Sequence, residues 1–352
     1  MAFKLNEKIK DLKPYDPICG EYEVRLDSNE SFILPPQDIR EKILKALQKV
    51  DLNRYPDSKA TEVCAEFARL YDLAPDLVVA GNGSDELISV IMTAFLQKGD
   101  KVVTLKPDFS MYNFYAGLIE CKCIEVEKDE NFKADFDLVI KTVNDCNARA
   151  VIFSNPCNPT SVGFCAQDIR RLIKNTKALI VLDEAYMDFW DQSLLGEVEE
   201  YDNLIILKTC SKALGFAAVR LGFSVSNKRI ADIIRAVKSP YNVNSLTQAA
   251  VVALLGEKQY INDCNKRIRE SVKHLYTELK GVQGALNDRI KVFKTNTNFV
   301  LVKTDQNEEL FEYLKSSSII VRKFRGFVRI TAGSKDENAL LISKFKDYYK
   351  VG

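Results

Sequence analysis

The chain has 352 residues, 46% of them hydrophobic and 28% charged, which excludes a disordered protein and allows one large domain with a satellite or two ordinary ones. Lysine and arginine total 50 against 49 aspartates and glutamates, a net charge of +1, so a small substrate is expected and nucleic acid is not. No apolar run approaches the roughly 20 residues of a membrane span, and the start, "MAFKLNEKIKDLKPY", lacks a signal-peptide core, so a cytoplasmic protein with no membrane partner is expected.

Along the chain, the first forty residues contain "PYDP" and "LPP" and read as an arm followed by a helix starting near Pro36. From about 60 to 240, short apolar runs alternate with helical patterns. The strand candidates are "DLVVAG" (76–81), "KVVTL" (101–105), "CKCIEVE" (121–127), "RAVIFSN" (149–155), "ALIVLDE" (178–184), "NLIILKT" (203–209) and "RLGFSVS" (220–226). Apolar strands separated by amphipathic helices predict an α/β domain with a mostly parallel sheet. After "SPYNVNS" (239–245) come a charged helical region over about 246–281 and the strands "NFVLVK" and "FVRITAG" around another helix, which predict a smaller α+β unit. No internal repeat is visible.

Nine scattered cysteines without a C-x-x-C pair argue for reduced thiols used as small hydrophobes, and against a disulfide framework or a zinc site. His274 is the one histidine and lies in a helical pattern, so a Ser-His-Asp triad is excluded and no metal is expected. A proton shuttle in this chain has to be something other than imidazole.

In open α/β sheets ligands bind beyond the carboxyl ends of the strands, so the residues after each strand carry the information. "GNGSDE" (81–86) is a glycine-rich turn into a helix whose N-terminal amides suit a phosphate; alone, it also reads as a capped tight turn. "KPDFSMY" (106–112) offers Phe109 and Tyr112 as stacking rings, or as core. "SNPCNPTS" (154–161) is a proline-rigidified loop presenting Asn155 and Asn158, and "DEAY" (183–186) puts a carboxylate at a strand end. "LKTCSKALGFAAVRLGF" (207–223) sets Thr209, Ser211, Lys212 and Arg220 around a single anion. An amine with an ordinary pKa near 10.4 is a poor nucleophile at neutral pH, so partial burial and Arg220 are expected to lower that of Lys212. A strand-end Asp, a Tyr three residues on, an amine among hydroxyls and an anion loop are the parts that pyridoxal phosphate chemistry needs.

At these residues the chain resembles the fold-type I aminotransferases, and among them the histidinol-phosphate aminotransferase family. The matching stretches include "LDSNES" (26–31), "RYPD" (54–57), "GNGSDELI" (81–88), "NPCNPTS" (155–161), "LDEAY" (182–186), "KTCSKALGFAAVRLG" (208–222) and "VRKFRGFVRITAG" (321–333). The resemblance implies a large cofactor-binding domain over 46–239, an N-terminal arm over 1–25, and a small domain made of 26–45 and 240–352. It implies Lys212 as the Schiff-base residue and proton shuttle, and Asp183 as partner of the pyridinium nitrogen. Asn158 and Tyr186 would bond the ring's phenolic oxygen, and Phe109 would stack on the ring. Gly83, Ser84, Asp85, Thr209, Ser211 and Arg220 would surround the phosphate. Tyr55 would reach the cofactor phosphate of a second subunit, which implies a homodimer with shared sites. Arg329 would clamp the carboxylate of the amino-acid partner, and together with Arg322 the phosphate of the substrate.

The chain departs from the family pattern in three places. Ser161 stands where a glycine is usual, Cys157 replaces a common asparagine, and "NESFIL" replaces "NENPYG", so Phe32 lacks the phenol that contributes to substrate binding. The expected reaction is amino transfer between L-histidinol phosphate and 2-oxoglutarate, yielding L-glutamate. Decarboxylation of threonine phosphate, transamination of aromatic amino acids and a non-catalytic cofactor-binding role stay open at this stage.

Overall fold

A computed structural model describes residues 3–10, 12, 14 and 18–351 of the chain. Most of "PYDP", and so part of the expected arm, lies outside the described residues. The first elements are β1 (Val24–Leu26), α1 (Gln37–Leu47), which begins after Pro36 as expected, and α2 (Thr61–Tyr71). Then β2 (Val78–Gly81), α3 (Gly83–Phe95), β3 (Lys101–Lys106), α4 (Met111–Leu118), β4 (Lys122–Glu127), α5 (Phe136–Asp145), β5 (Ala150–Ser154), α6 (Ala166–Lys174) and β6 (Leu179–Asp183) alternate strand with helix. The large unit goes on with β7 (Leu204–Thr209), β8 (Gly222–Ser226), α7 (Lys228–Val237) and α8 (Ser245–Leu255). The chain ends with α9 (Lys258–Ala285), β9 (Lys291–Val292), β10 (Phe299–Lys303), α10 (Asn307–Ser316), β11 (Ile319–Phe324), β12 (Phe327–Thr331) and α11 (Lys335–Tyr349).

The seven-stranded sheet has the order β2-β8-β7-β6-β5-β3-β4; β8 runs antiparallel to both of its neighbours, and the other pairs are parallel. Its strands read as continuous apolar runs because both faces are covered. Along β5, Val151 and Phe153 enter one core while Ala150 and Ile152 enter the core on the opposite face. The same alternation decides which strand ends face the site. Asp183 shares the face of Val181, and Thr209 that of Leu207, whereas Glu184 and Lys208 turn to the other side.

The five-stranded sheet has the order β1-β11-β12-β10-β9, with β1 parallel to β11 and the rest antiparallel. It packs on α9 and α11 through a core that includes Leu275, Leu279, Val300, Ile330 and Phe345. The expected helical region over 246–281 is two helices, parted at Gly256. Val243, Val251, Leu255 and Ile261 pack in the core of the large sheet, while Val272, Leu275, Leu279 and Val282 of α9 pack in that of the small one.

Candidate active site

A cavity of about 280 Å³ opens at the carboxyl ends of β5, β6 and β7. One side of it is an anion cup. Gly83 starts α3 at φ +82°, a conformation that favours glycine, and no side chain caps the first-turn N–H groups. A Cβ at Gly222 would stand 2.4 Å from the Ser84 nitrogen, so β8 can pass this close to the helix start only as glycine. A Cβ at Gly83 would meet Arg220 Nη2 at 2.8 Å, which places the guanidinium against the same helix start. Arg220 Nη1 donates to Ser211 Oγ at 3.3 Å, and the Ser211 N–H donates to Thr209 Oγ1 at 3.1 Å. Among the described residues no carboxylate is within ion-pair distance of Arg220. A cation, two hydroxyls and free helix amides together form a cradle for a phosphate.

Deeper in, Asp183 is 4% exposed and accepts from Tyr112 Oη at 2.9 Å and from the Ala185 N–H at 3.0 Å. Burial pushes its carboxyl up to about 6; the two donors offset part of that rise, and the neighbouring charges of Asp108 and Asp85 add to it. It is therefore ionised at neutral pH, buried, and held by neutral donors alone, which suits a cationic N–H as a further partner. Phe109 lines the same cavity, its ring edge-on to Tyr112 at 5.6 Å. Tyr112, read from the sequence as a stacking ring, is 1% exposed and instead orients Asp183 through its hydroxyl.

Lys212 Nζ donates to the Ser28 carbonyl at 3.1 Å. Burial lowers its ammonium to about 8, aided by Arg329 and then Arg220 and opposed by Glu30 and Asp85. Arg220 thus acts as expected, but Arg329 is the stronger of the two guanidiniums. Tyr186 is buried, edge-on to Phe299 at 5.4 Å, and its oxygen accepts from Asn29 Nδ2 at 2.8 Å. Burial raises its phenol to about 12, with Arg329 and the Asn29 bond pulling the other way, so the hydroxyl keeps its proton. Arg329 Nη1 takes Asn158 Oδ1 at 2.5 Å, which leaves the Asn158 amide NH2 as the group offered to a ligand.

A second cavity of about 460 Å³ shares Phe109, Asn158, Tyr186 and Lys212 with the first and adds Arg322, Phe324 and Arg329. Arg322 and Arg329 are paired across β11 and β12, and both line this cavity. Arg329 is 7% exposed, donates to the Asp27 carbonyl at 2.6 Å, and lies over the rings of Phe299 and Phe324. Two predicted site residues are elsewhere. Phe32 packs beside Ile33 and Tyr186 and lines neither cavity. Tyr55 is 81% exposed, with its ring stacked on Tyr241 at 4.5 Å.

The sequence reading missed how the loops are held. Ser154 Oγ bonds Asp108 and accepts from the Asn158 N–H at 3.2 Å; Asp108 pairs with Lys128 at 3.3 Å, and both side chains are almost fully buried. A lysine just after a strand gave no sign of this, because its partners come from two other strand ends. Asn29 was visible only as part of the "LDSNES" motif. The pyridoxal phosphate implied by the resemblance fits these residues: the phosphate cradle, the buried carboxylate and the half-buried amine converge on one cavity.

The model for the family described as aminotransferase class I and II matches residues 21–345 of the chain. The histidinol-phosphate aminotransferase of Clostridium novyi is 39% identical over 343 residues, covering 96% of this chain and 95% of that one. That of Clostridium kluyveri is 35% identical over 353 residues, covering 99% of each. In structure, the histidinol-phosphate aminotransferase from Sinorhizobium meliloti in complex with pyridoxal-5'-phosphate is similar with a TM-score of 0.87 at 22% identity, over 99% of this chain and 98% of that chain. At these identities and coverages the chain belongs to the aminotransferase class I and II family, beside the histidinol-phosphate aminotransferases.

Proposed function

We propose that this chain is a pyridoxal phosphate-dependent aminotransferase that moves an amino group from L-histidinol phosphate to 2-oxoglutarate, in two half-reactions at one site, as a cytoplasmic homodimer. The observation that carries the reading is the pairing of an amine held near about 8, Lys212, with two arginines facing each other across one cavity wall. Pyridoxal phosphate, when bound, supplies an aldehyde and a ring that takes up negative charge from the substrate Cα.

The α3 N-terminus with Gly83, Ser84 and Asp85, and Thr209, Ser211 and Arg220, would hold its phosphate. Asp183 would keep the ring nitrogen protonated, and Phe109 would cover a ring face. Asn158 and Tyr186 would each donate to the phenolic oxygen. Lys212 Nζ takes a proton at the substrate Cα and returns one; an amine that deprotonates near about 8 has an appreciable neutral fraction at cytoplasmic pH. Arg329 suits the glutamate carboxylate as a fork, and Arg329 with Arg322 suits the phosphate of histidinol phosphate. Both the amino donor and the acceptor carry an anionic group, so one pair of cations would serve both half-reactions. Tyr55, exposed here, would complete the phosphate site of a second subunit.

The test is Lys212→Ala. The holoenzyme's visible absorbance and the formation of glutamate from 2-oxoglutarate and L-histidinol phosphate are both expected to disappear. Retention of both sinks the assignment. Carbon dioxide release from threonine phosphate, or faster turnover with an aromatic amino acid, would redirect the substrate and leave the cofactor in place.

A further inference from the structure

Asn29 follows β1 with φ +55° and is 1% exposed. All of its polar groups are engaged. Its N–H donates to Thr331 Oγ1 at 3.0 Å, and its carbonyl accepts from Asn298 Nδ2 at 3.1 Å. Its side-chain oxygen meets Thr331 Oγ1 at 3.1 Å, and its side-chain nitrogen meets Tyr186 Oη at 2.8 Å. Thr331 is 3% exposed and its hydroxyl has a single proton. Since that hydroxyl already accepts from the Asn29 N–H, its proton is satisfied by Asn29 Oδ1. Turning the amide round would give Thr331 a second donor and leave its own buried O–H without an acceptor, a cost that folded proteins avoid.

The amide NH2 therefore faces Tyr186, and an NH2 group only donates. The Tyr186 oxygen must accept, so its own proton points away from Asn29, and the remaining open direction is the cavity that Tyr186 lines. We propose that Asn29 and Thr331 are positioning residues that make Tyr186 an obligatory hydrogen-bond donor into the cofactor cavity. The device crosses between the two sheets: Thr331 and Arg329 lie two residues apart on the same face of β12, while Tyr186 follows β6 of the large sheet. Arg329 also holds the Asp27 carbonyl, and Lys212 the Ser28 carbonyl, so residues 27–29 tie the anion-binding strand to both the phenol and the amine.

The inference rests on the cofactor reading above. A phenol fixed as a donor withdraws charge from the oxygen it faces, so losing that donation lets the bound cofactor hold its proton to higher pH. The groups that bear on Tyr186 are Arg329, Asp183 and the Cys157 thiol; those that bear on Lys212 are Arg329, Glu30, Arg220 and Asp85. None of them is altered by Thr331→Val, which removes the hydroxyl at nearly constant shape and charge.

The experiment is the pH midpoint of the holoenzyme's visible band. Thr331→Val is expected to raise it by about one pH unit, the size of a hydrogen bond to a charged group. Thr331→Ser restores it, and Thr331→Val adds nothing in the Tyr186→Phe background. An unchanged midpoint, or an equal shift in both backgrounds, overturns the proposal. Asn29→Asp gives an independent reading, because a carboxylate would accept from Tyr186: its upward shift must be larger with Tyr186 than in the Tyr186→Phe background, and equal shifts overturn the proposal. A parent protein with no visible band at all would instead sink the cofactor reading.

Discussion

Asp183 and Lys212 are shifted in opposite directions by the same burial, and each shift makes the folded chain depend on pH. Asp183 holds its proton up to about 6 in the folded state, against an ordinary 3.8. Its folded pKa is raised, so the folded state is favoured below about 3.8 and loses that advantage as pH rises through about 6. Asp183→Asn in the cofactor-stripped protein is therefore expected to be more stable than the parent at pH 7.5 by on the order of 2 kcal/mol, with the gap closing toward about pH 4. Urea unfolding at the two pH values measures this, and a gap independent of pH would contradict it. The same variant is expected to lose turnover, a trade of activity for stability that marks a carboxylate kept buried for a ligand. Lys212 is lowered from 10.5 to about 8, so its contribution runs the other way: stability is gained as pH rises between those values.

At the scale of elements, the strands of the large sheet were legible because burial on both faces turns them into apolar runs, and the observed ends fall within two residues of the predicted ones. β1 and β9, of 3 and 2 residues, and the half-buried β11 gave no such run; they are strands because neighbours pair with them. The order of the strand-end motifs was legible too, and the cavity collects Ser84, Phe109, Asn158, Asp183 and Lys212 as that order implied. What holds those loops was not legible, since Asp108 and Lys128 are partners only after β3 and β4 pair side by side. Lys128 Nζ also donates to the Pro107 carbonyl at 2.7 Å and lies 3.1 Å from the Cys157 sulfur, so it joins the turn carrying Phe109 to the loop carrying Asn158. Lys128→Met leaves Asp108 charged and buried without its cation, held only by Ser154 and the Phe109 N–H, and is expected to cost about 3 kcal/mol. Urea unfolding should show that adding Asp108→Asn recovers more than half of the loss. A Lys128→Met variant as stable as the parent would mean that the pair is dispensable.

The whole molecule brings residues far apart in sequence to one place; Asn29 and Thr331, 302 positions apart, are an example no local pattern could have announced. Tyr55 belongs to a still larger scale, because its exposed ring lines neither of the two cavities that meet at Lys212 in its own chain. For the homodimer proposed above, Lys212→Ala and Tyr55→Ala chains mixed after partial unfolding should regain activity beyond their sum. A two-fold dimer formed at random restores one parental site in each mixed pair, so up to about a quarter of parental activity is expected. A mixture no more active than its parts, or a monomer in sedimentation, would refute shared sites. The antiparallel β8 carries a last consequence, which concerns the order of synthesis. It inserts between β2 and β7, so the sheet stays open beside residue 81 until about residue 226 has left the ribosome, and the phosphate cradle, which needs both Gly83 and Arg220, is absent until then. β1 waits longer still, for β11 at residues 319–321. With its closing contacts so distant, the nascent chain has edges to guard for most of its translation, and cofactor capture can only follow the emergence of β8.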